Sequence, residues 1–189
     1  MRIEAEKRLF TRDDLSKMYE SGILDEDERI ELLDGEIIVM TNPGPRHTAC
    51  TNRTTRVLVL ALGNRGIVSI QNPLVLDDYN EPKPDVLVAK PRDDFYDSTE
   101  ISAEHALLVV EIALTTLSKD RGRKLPHYAR LGVPEYWIED LKHNVLLVYR
   151  DPVGNAYETA LTFTGEETVS PVAFPGVVVS VRDLLGGRA

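Results

Sequence analysis

The sequence predicts an α/β (or α+β) domain in which a central mixed β-sheet is flanked by helices. Residues 106–113 form a short, continuous apolar run that is typical of a buried strand. Apolar residues recur at helical spacing over residues 47–63, and strand-like stretches follow at 145–149 and 157–163. Helices and strands thus alternate, as expected for helices packed on a sheet. With 189 residues, the chain has the length of one domain, and we expect its core to cover about residues 11–185.

A short helix and a hairpin are predicted first. Thr11, followed three residues later by Asp14, resembles a capping box and predicts the start of a helix. Asp34 and Gly35 stand between two apolar-rich stretches, which is a strong signal for a tight β-hairpin. Residues 42–46 contain two prolines and predict a rigid loop before the helix that begins near residue 47.

The sheet is predicted mainly from the middle of the chain. Strands are expected at about residues 67–76 and 84–89, with a polar loop at 91–104 before the buried strand. A basic helix and a strand at about residues 133–139 follow. Pro126 cannot continue a regular helix, so the basic helix either has this proline in its first turn or kinks there.

The charge of the chain is acidic but unevenly distributed. Twenty-two Lys and Arg residues against 31 Asp and Glu residues give a formal net charge of −9, which would repel a polyanion at long range. Residues 1–36 hold 12 acidic and six basic side chains, whereas residues 119–130 hold five basic and one acidic. Any surface that faces phosphate is therefore expected around residues 119–130.

The composition also excludes some classes of protein. Cys50 is the single cysteine, which rules out an internal disulfide and a cysteine metal cluster and fits a reducing compartment. The longest apolar runs, such as residues 57–62, are far shorter than the roughly 20 residues that span a bilayer. We therefore predict a cytoplasmic protein with no membrane partner.

Two acidic residues occupy unusual places in the predicted strands. Asp85 follows Pro84 at the start of one strand, and Glu111 interrupts the apolar run of another. A buried carboxylate is costly unless it is paired or coordinates a cation. If the two strands are neighbours, both carboxylates meet at one end of the sheet, where Mg²⁺ or Mn²⁺ would relieve their repulsion. Lys124, on the following helix, could then hold the attacking water or stabilise charge on a phosphate.

The same residues also allow a structural interpretation. A carboxylate at a strand end that pairs with a lysine is a common structural ion pair. Asp120 and Lys124 have the i, i+4 spacing of a pair that stabilises a helix. Spacing alone does not separate a functional site from a structural network.

Six short motifs follow one another along the chain: ELLDGEII at 31–38, PRH at 45–47, PD at 84–85, VVEI at 109–112, DRGRK at 120–124 and YARLGVPEYWIED at 128–140. In this order they resemble the PD-(D/E)XK nuclease superfamily and, more narrowly, its restriction-endonuclease-like (Uma-type) family of small bacterial proteins. The long last motif, after a spaced Asp and Lys, makes the resemblance specific. It implies a restriction-endonuclease-like fold.

The resemblance also implies roles for individual residues. Asp85 matches the metal-binding aspartate of the family and Glu111 its second carboxylate ligand, and the backbone carbonyl of Ile112 would be a further ligand. Glu31 matches an acidic residue that often completes the site, and Lys124 matches a catalytic lysine that the family places on the helix. In the wider superfamily the lysine lies two residues after the glutamate, so catalysis here depends on Lys124 reaching back to the strand.

Three further residues could contact phosphate. His47 stands near a predicted helix start, where backbone amides favour an anion, but such a histidine is more often a cap or a partly buried packing residue. Arg121 and Arg123 could clamp a phosphate or simply solvate a helix face.

Taken with the resemblance, these observations predict a Mg²⁺- or Mn²⁺-dependent endonuclease that hydrolyses phosphodiester bonds in DNA. Two alternatives stay open: a binding module that keeps the fold without activity, and a hydrolase of a smaller phosphoester, which would fit the acidic composition. We expect a homodimer, because twofold symmetry suits the cleavage of both strands of a duplex. Its interface is predicted on residues 133–140 and the C-terminal strands.

Overall fold

The structure, a computed structural model, describes residues 7–25 and 27–187. Its helices and strands are, in chain order, α1 (Arg12–Glu20), β1 (Ile30–Leu33), β2 (Glu36–Val39), α2 (Pro45–Leu62), β3 (Ile67–Ser69), β4 (Val86–Ala89), β5 (Ala106–Ala113), α3 (Leu117–Lys119), α4 (Leu125–Arg130), β6 (Glu135–Asp140), β7 (Val145–Val153), β8 (Ala156–Phe163), β9 (Thr168–Val169), β10 (Val179–Ser180) and α5 (Val181–Leu185). A π-helical turn, Asp120–Lys124, joins α3 to α4. None of the described helices is both long enough and apolar enough to cross a membrane.

Six strands form a central sheet in the order β3-β4-β5-β6-β7-β8. Strands β5 and β6 are parallel, and the other neighbouring pairs are antiparallel. Helices α2 and α5 pack on one face, around a core that includes Leu58, Trp137 and Leu184. Helix α4 packs on the other face, where Tyr128 and Tyr136 are fully buried. The predicted mixed sheet flanked by helices is therefore confirmed.

Helix α1 and the β1–β2 hairpin form a smaller layer beside this sheet. Thr11 and Asp14 make the predicted capping box, each side chain accepting the other residue's backbone N–H. Asp34 and Gly35 both have positive φ, as a tight hairpin turn requires, so the predicted hairpin is also confirmed. The small core of this layer contains Leu15, Ile30 and Leu32.

Several predicted boundaries differ from the structure, and two of the differences have a clear local cause. Helix α2 begins at Pro45 rather than near residue 47, because proline suits the first turn of a helix, where no N–H partner is needed. Strand β3 ends at Ser69, so the strand predicted over residues 67–76 is wrong beyond that point. The chain leaves the sheet there because Gln71 adopts a left-handed backbone conformation with φ of 53° and Pro73 cannot donate to a neighbouring strand.

Pro126 lies in the first turn of α4, but it follows a helical path that already begins at Leu117. Proline lacks the N–H that would bond to the carbonyl four residues earlier, and its ring crowds that carbonyl. The π-helical turn at Asp120–Lys124 precedes the proline. Its hydrogen bonds join residues five apart instead of four, which accommodates the missing N–H of the proline. The predicted alternative that places Pro126 in the first turn of its helix is therefore confirmed, with a π-helical turn before it.

Strand β6 lies between β5 and β7 in the interior of the sheet. Its residues Tyr136 and Trp137 are fully buried within this one chain. The predicted dimer interface is therefore wrong for residues 133–140, because these side chains already belong to the core. The homodimer itself stays a prediction.

Candidate active site

Asp85 and Glu111 lie at one end of the central sheet. Val86, directly after Asp85, pairs with Val110, directly before Glu111, across the antiparallel strands β4 and β5. The two acidic residues are only 6% and 4% exposed. The two strands are thus neighbours, as predicted, and they bring both carboxylates to one region.

Three groups hold the Asp85 carboxylate. The Ile112 N–H donates to Oδ2 at 2.9 Å, the His47 ring lies 3.1 Å from the same oxygen through Nε2, and the Gln71 amide donates to Oδ1 at 3.2 Å. Burial acts to raise the pKa of Asp85, but the hydrogen bond and charge of His47, together with the other two donors, outweigh it and lower the pKa. Asp85 is therefore held as an anion.

Glu111 is buried against Lys124. The Lys124 ammonium donates to Oε1 at 2.8 Å, and the Tyr128 hydroxyl donates to the same oxygen at 3.1 Å. The residue two positions after the glutamate is Ala113, so strand β5 has no lysine there. Lys124 instead reaches back from the end of the π-helical turn, which brings the predicted lysine and glutamate into direct contact.

Glu31 joins the cluster from strand β1 and is 1% exposed. It forms an ion pair with Lys119, and Lys124 Nζ lies 3.1 Å from its Oε2. Despite this approach, Oε2 is buried without a hydrogen bond from any described residue. Burial acts to raise the pKa of Glu31, but the charge of Lys124 and the hydrogen bond from Lys119 outweigh it and lower the pKa.

Asp120 is a member of the cluster that sequence reasoning missed, since its spacing suggested only a helix pair with Lys124. The π-helical turn buries both side chains. Burial raises the pKa of Asp120, and the charge of Lys124 opposes this shift without cancelling it. The only sequence signal for this arrangement was Pro126, which made a regular helix impossible two residues after the lysine.

A cavity of about 430 Å³ opens onto the cluster. Its titratable lining consists of the acidic residues Glu31, Asp85, Glu111 and Asp120, the basic residues Arg29, Lys119 and Lys124, and His47. Burial raises the pKa of Glu111 well above its usual value, and the nearby acidic charges raise it further against the opposing charge of the lysine. The pKa of Lys124 is also raised, because the acidic charges around it outweigh the effect of burial. The lysine thus stays charged beside these acidic side chains.

The family model described as "Uma2: Putative restriction endonuclease" matches residues 12–182. The chain belongs to this family. A crystal structure described as "a putative nuclease belonging to DUF820", from Anabaena variabilis ATCC 29413, is similar with a TM-score of 0.70 and 20% sequence identity. The match covers 93% of this chain and 97% of that chain, and it shows the fold. No curated protein matches the chain.

Membership of the Uma2 family confirms the resemblance drawn from the six motifs. Three of those motifs supply the cavity with its central residues: PD supplies Asp85, VVEI supplies Glu111 and DRGRK supplies Lys124. Motifs that are separated in the sequence of this Uma2 protein therefore meet at one place in its fold.

His47 is one of the three residues predicted as possible phosphate contacts. It lies in the first turn of α2, lines the cavity and contacts Asp85. The hydrogen bond with Asp85 raises the pKa of His47, against the opposing effect of burial. His47 is thus a partly buried residue, as preferred from the sequence, and its contact with phosphate stays a prediction.

The basic segment 119–130 is largely neutralised within the protein. Its ion pairs are Lys119–Glu31, Arg123–Asp34, Arg123–Glu36, Lys124–Glu111, Lys124–Glu31, His127–Asp34 and Arg130–Asp77. Arg123 therefore holds the β1–β2 hairpin, and Arg121 is the exposed arginine with no such pair among the described residues. Acidic residues of the hairpin and its neighbours thus pair with most of these cations, while Lys119 and Lys124 line the cavity, and a phosphate-facing surface around this segment stays a prediction.

The residues around the cavity fit a hard divalent cation such as Mg²⁺. Asp85 and Glu111 offer carboxylate oxygens, and the Ile112 carbonyl faces the Asp85 side, because the N–H and C=O of one strand residue point the same way. Mg²⁺ usually takes one or two carboxylates and completes its shell with water and phosphate. Among the described residues, no group of three or more His, Cys, Asp or Glu side chains is arranged to hold a metal ion. A cation would relieve both the unbonded Glu31 oxygen and the raised pKa of Glu111.

Proposed function

We propose that this chain is a Mg²⁺- or Mn²⁺-dependent endonuclease that hydrolyses phosphodiester bonds in DNA. The observation that carries the proposal is Lys124, buried between Glu111 and Glu31 in the cavity that Asp85 also lines. A structural ion pair needs only one carboxylate and no cavity. Here the carboxylates outnumber the lysines, and the cavity gives a substrate access to them. The nuclease family of the chain supports the same assignment.

Each residue of the cluster has a role that follows from its position. Asp85, Glu111 and the carbonyl of Ile112 would hold the cation. Mg²⁺, when bound, polarises a phosphate and lowers the pKa of a water. Lys124 has three N–H donors and donates one of them to Glu111, so another could orient the attacking water or stabilise charge on the phosphate. Glu31 keeps the lysine in place or completes the ligand set.

A second candidate, hydrolysis of a smaller phosphoester, is favoured by the charge distribution. The chain carries a net charge of −9, and its most basic segment is paired internally. Little positive surface is left for a long polyanion, whereas a small diester needs only the cavity. This candidate predicts turnover of a small diester without salt-sensitive DNA affinity.

The first experiment is calorimetric titration of Mn²⁺ and Mg²⁺ into wild type, Asp85→Asn and Glu158→Gln. Glu158 is an exposed acidic residue on β8 outside the cavity, so its variant controls for the loss of one negative charge. The same samples are then assayed for nicking of supercoiled DNA and for hydrolysis of bis(p-nitrophenyl) phosphate. We expect binding and nicking in wild type and Glu158→Gln, and neither in Asp85→Asn.

The other outcomes separate the alternatives. Hydrolysis of the small diester without nicking would favour the second candidate. DNA binding without metal binding or hydrolysis would instead indicate a binding module that keeps the fold. We also propose a cytoplasmic homodimer. The free Cys50 is consistent with a reducing setting, and a monomer as the sole species in native mass spectrometry would contradict the dimer.

A further inference from the structure

Among the residues that the structure describes, one cation of the cavity has no carboxylate partner. Lys119 and Lys124 both contact Glu31, and Lys124 also contacts Glu111. The third cationic side chain in the cavity lining is Arg29. Arg29 forms no ion pair with any Asp or Glu of the described residues, and its side chain faces the cavity that an external anion can enter.

The position of Arg29 is well defined. The residue is half-buried directly before strand β1, and its backbone carbonyl accepts the Met40 N–H at 2.7 Å across the base of the hairpin. Its Nη2 donates to the Gln71 side-chain oxygen at 3.1 Å. A guanidinium has five N–H donors in a planar fork, so this single contact leaves donors free for another acceptor.

Gln71 connects Arg29 to the centre of the site. While its oxygen accepts from Arg29, its amide nitrogen donates to Asp85 Oδ1 at 3.2 Å. Its backbone N–H donates to the carbonyl of Pro84 at 3.1 Å, and its backbone has a φ of 53°, which is uncommon for a residue other than glycine. The side-chain amide of Gln71 therefore bridges the Arg29 guanidinium and the Asp85 carboxylate.

We infer that Arg29 binds a backbone phosphate of the substrate next to the bond that is cleaved. The inference rests on the proposed nuclease function and adds the group that recognises the anion. A phosphate offers paired oxygens that match the guanidinium fork, so an arginine can hold it with two parallel hydrogen bonds. Arg29 thus takes the part that the sequence suggested for Arg121 and Arg123.

The test is single-turnover cleavage of a short DNA duplex by the full chain at saturating Mn²⁺, over a series of KCl concentrations. It compares wild type, Arg29→Gln, Arg29→Lys and Arg56→Gln. Arg56 is an exposed arginine on α2 outside the cavity lining and serves as the matched charge control. The measured quantities are the plateau rate and the protein concentration that gives half of it.

We expect Arg29→Gln to raise the half-saturating concentration by about tenfold, the usual effect of losing one charged hydrogen-bonded contact. The slope of the logarithm of the half-saturating concentration against log[KCl] should fall by about 1, because one phosphate contact is lost. Arg56→Gln should keep the wild-type slope. Arg29→Lys should keep the slope but lose affinity, since an ammonium has no fork.

Two results would overturn the inference while leaving the nuclease function intact. One is a wild-type half-saturating concentration and salt slope in Arg29→Gln. The other is a lower plateau rate with unchanged saturation, which would make Arg29 only a positioning residue. If Arg29→Gln does not fold, wild-type affinity in Arg29→Lys would count against the inference in the same way. A wild-type protein that cleaves no DNA would contradict the proposed function itself.

Discussion

Glu111 and Glu139 are buried acidic residues on adjacent strands of one sheet, and their surroundings differ. Glu111 faces the cavity, where Lys124 and Tyr128 donate to its carboxylate. Glu139 faces the opposite core, where the Cys50 thiol and the Thr54 hydroxyl donate to it, each at 2.6 Å. One carboxylate thus has a cation and access to a ligand, while the other has only neutral partners.

Burial is the main cause of a raised pKa in both residues. The pKa of Glu139 rises to about 7, and that of Glu111 is raised further by the charges of Asp120, Asp85 and Glu31. A perturbed carboxylate therefore does not by itself mark a functional site. The cation beside Glu111 and the cavity in front of it make that residue the better candidate.

The largest expected difference between the two residues is in activity. Glu111→Gln removes a proposed metal ligand and should lower the rate of DNA nicking by about a thousandfold or more, as expected for a central catalytic group. Glu139→Gln keeps a hydrogen-bonding side chain of the same shape outside the cavity and should stay within a few-fold of wild type. Nicking rates of both variants at saturating Mn²⁺ test the comparison, and equal losses would contradict it.

Around Glu111, Lys124 should make the main contribution to the free energy of unfolding. Lys124→Met keeps the apolar stem but leaves Glu111 and Glu31 without their buried cation, which should lower the free energy of unfolding by about 3–5 kcal/mol. The double variant Lys124→Met with Glu111→Gln should recover part of this loss. Urea denaturation at neutral pH measures both effects, and no recovery in the double variant would argue against the pair as the cause.

Glu139 should instead contribute a pH dependence of stability. Its pKa of about 7 in the folded chain lies above the ordinary value of 4.5, so folding favours the protonated form. The resulting stabilisation is complete below pH 4.5, decreases as the pH rises towards 7 and is absent above it. The pKa difference corresponds to about 3 kcal/mol.

Glu139→Gln should therefore gain stability relative to wild type as the pH rises from about 5 to about 8. Urea denaturation of the two proteins at both pH values gives the measurement, and Glu158→Gln serves as the exposed control. A constant difference between Glu139→Gln and wild type would show that Glu139 is already ionised in the folded chain across this range, so that its pKa is not raised.

The smallest predicted effect concerns Gln71, which orients Asp85 without touching the proposed substrate. Gln71→Asn retains an amide and tolerates the left-handed backbone, but its side chain is one methylene too short to reach Asp85. Mn²⁺ affinity measured by calorimetry should fall by about 10–100-fold with unchanged thermal stability. Unchanged affinity would show that His47 and Ile112 suffice to hold the carboxylate.

Much of the fold could be predicted because its signals are local. Thr11 and Asp14 lie within one helical turn, and Asp34 and Gly35 form a turn by their own backbone preferences. The apolar run of β5 indicated its burial, and Glu111 stood out within it. The short β3 was mispredicted, because its end depends on the left-handed Gln71 and on Pro73 rather than on apolar alternation.

The candidate site could be predicted only in part. Its ordered motifs identified Asp85, Glu111, Lys124 and Glu31 as candidates, and the structure places all four around one cavity. Asp120 was missed as a member of the cluster, because only the π-helical turn buries it beside Lys124. For β6 the sequence left core and interface open, because an apolar strand has the same pattern in both, and the structure places it in the core.

The sequence by itself determined the order of the elements, the family of the chain and the carboxylates that require a partner. Periodicity, turn chemistry and motif order can be recognised in the sequence without knowledge of how the chain packs. Only the tertiary structure decided which charges meet. It paired Arg123 with the hairpin and left Arg29 beside Gln71, because the contacts of a charged side chain depend on residues that are distant along the chain.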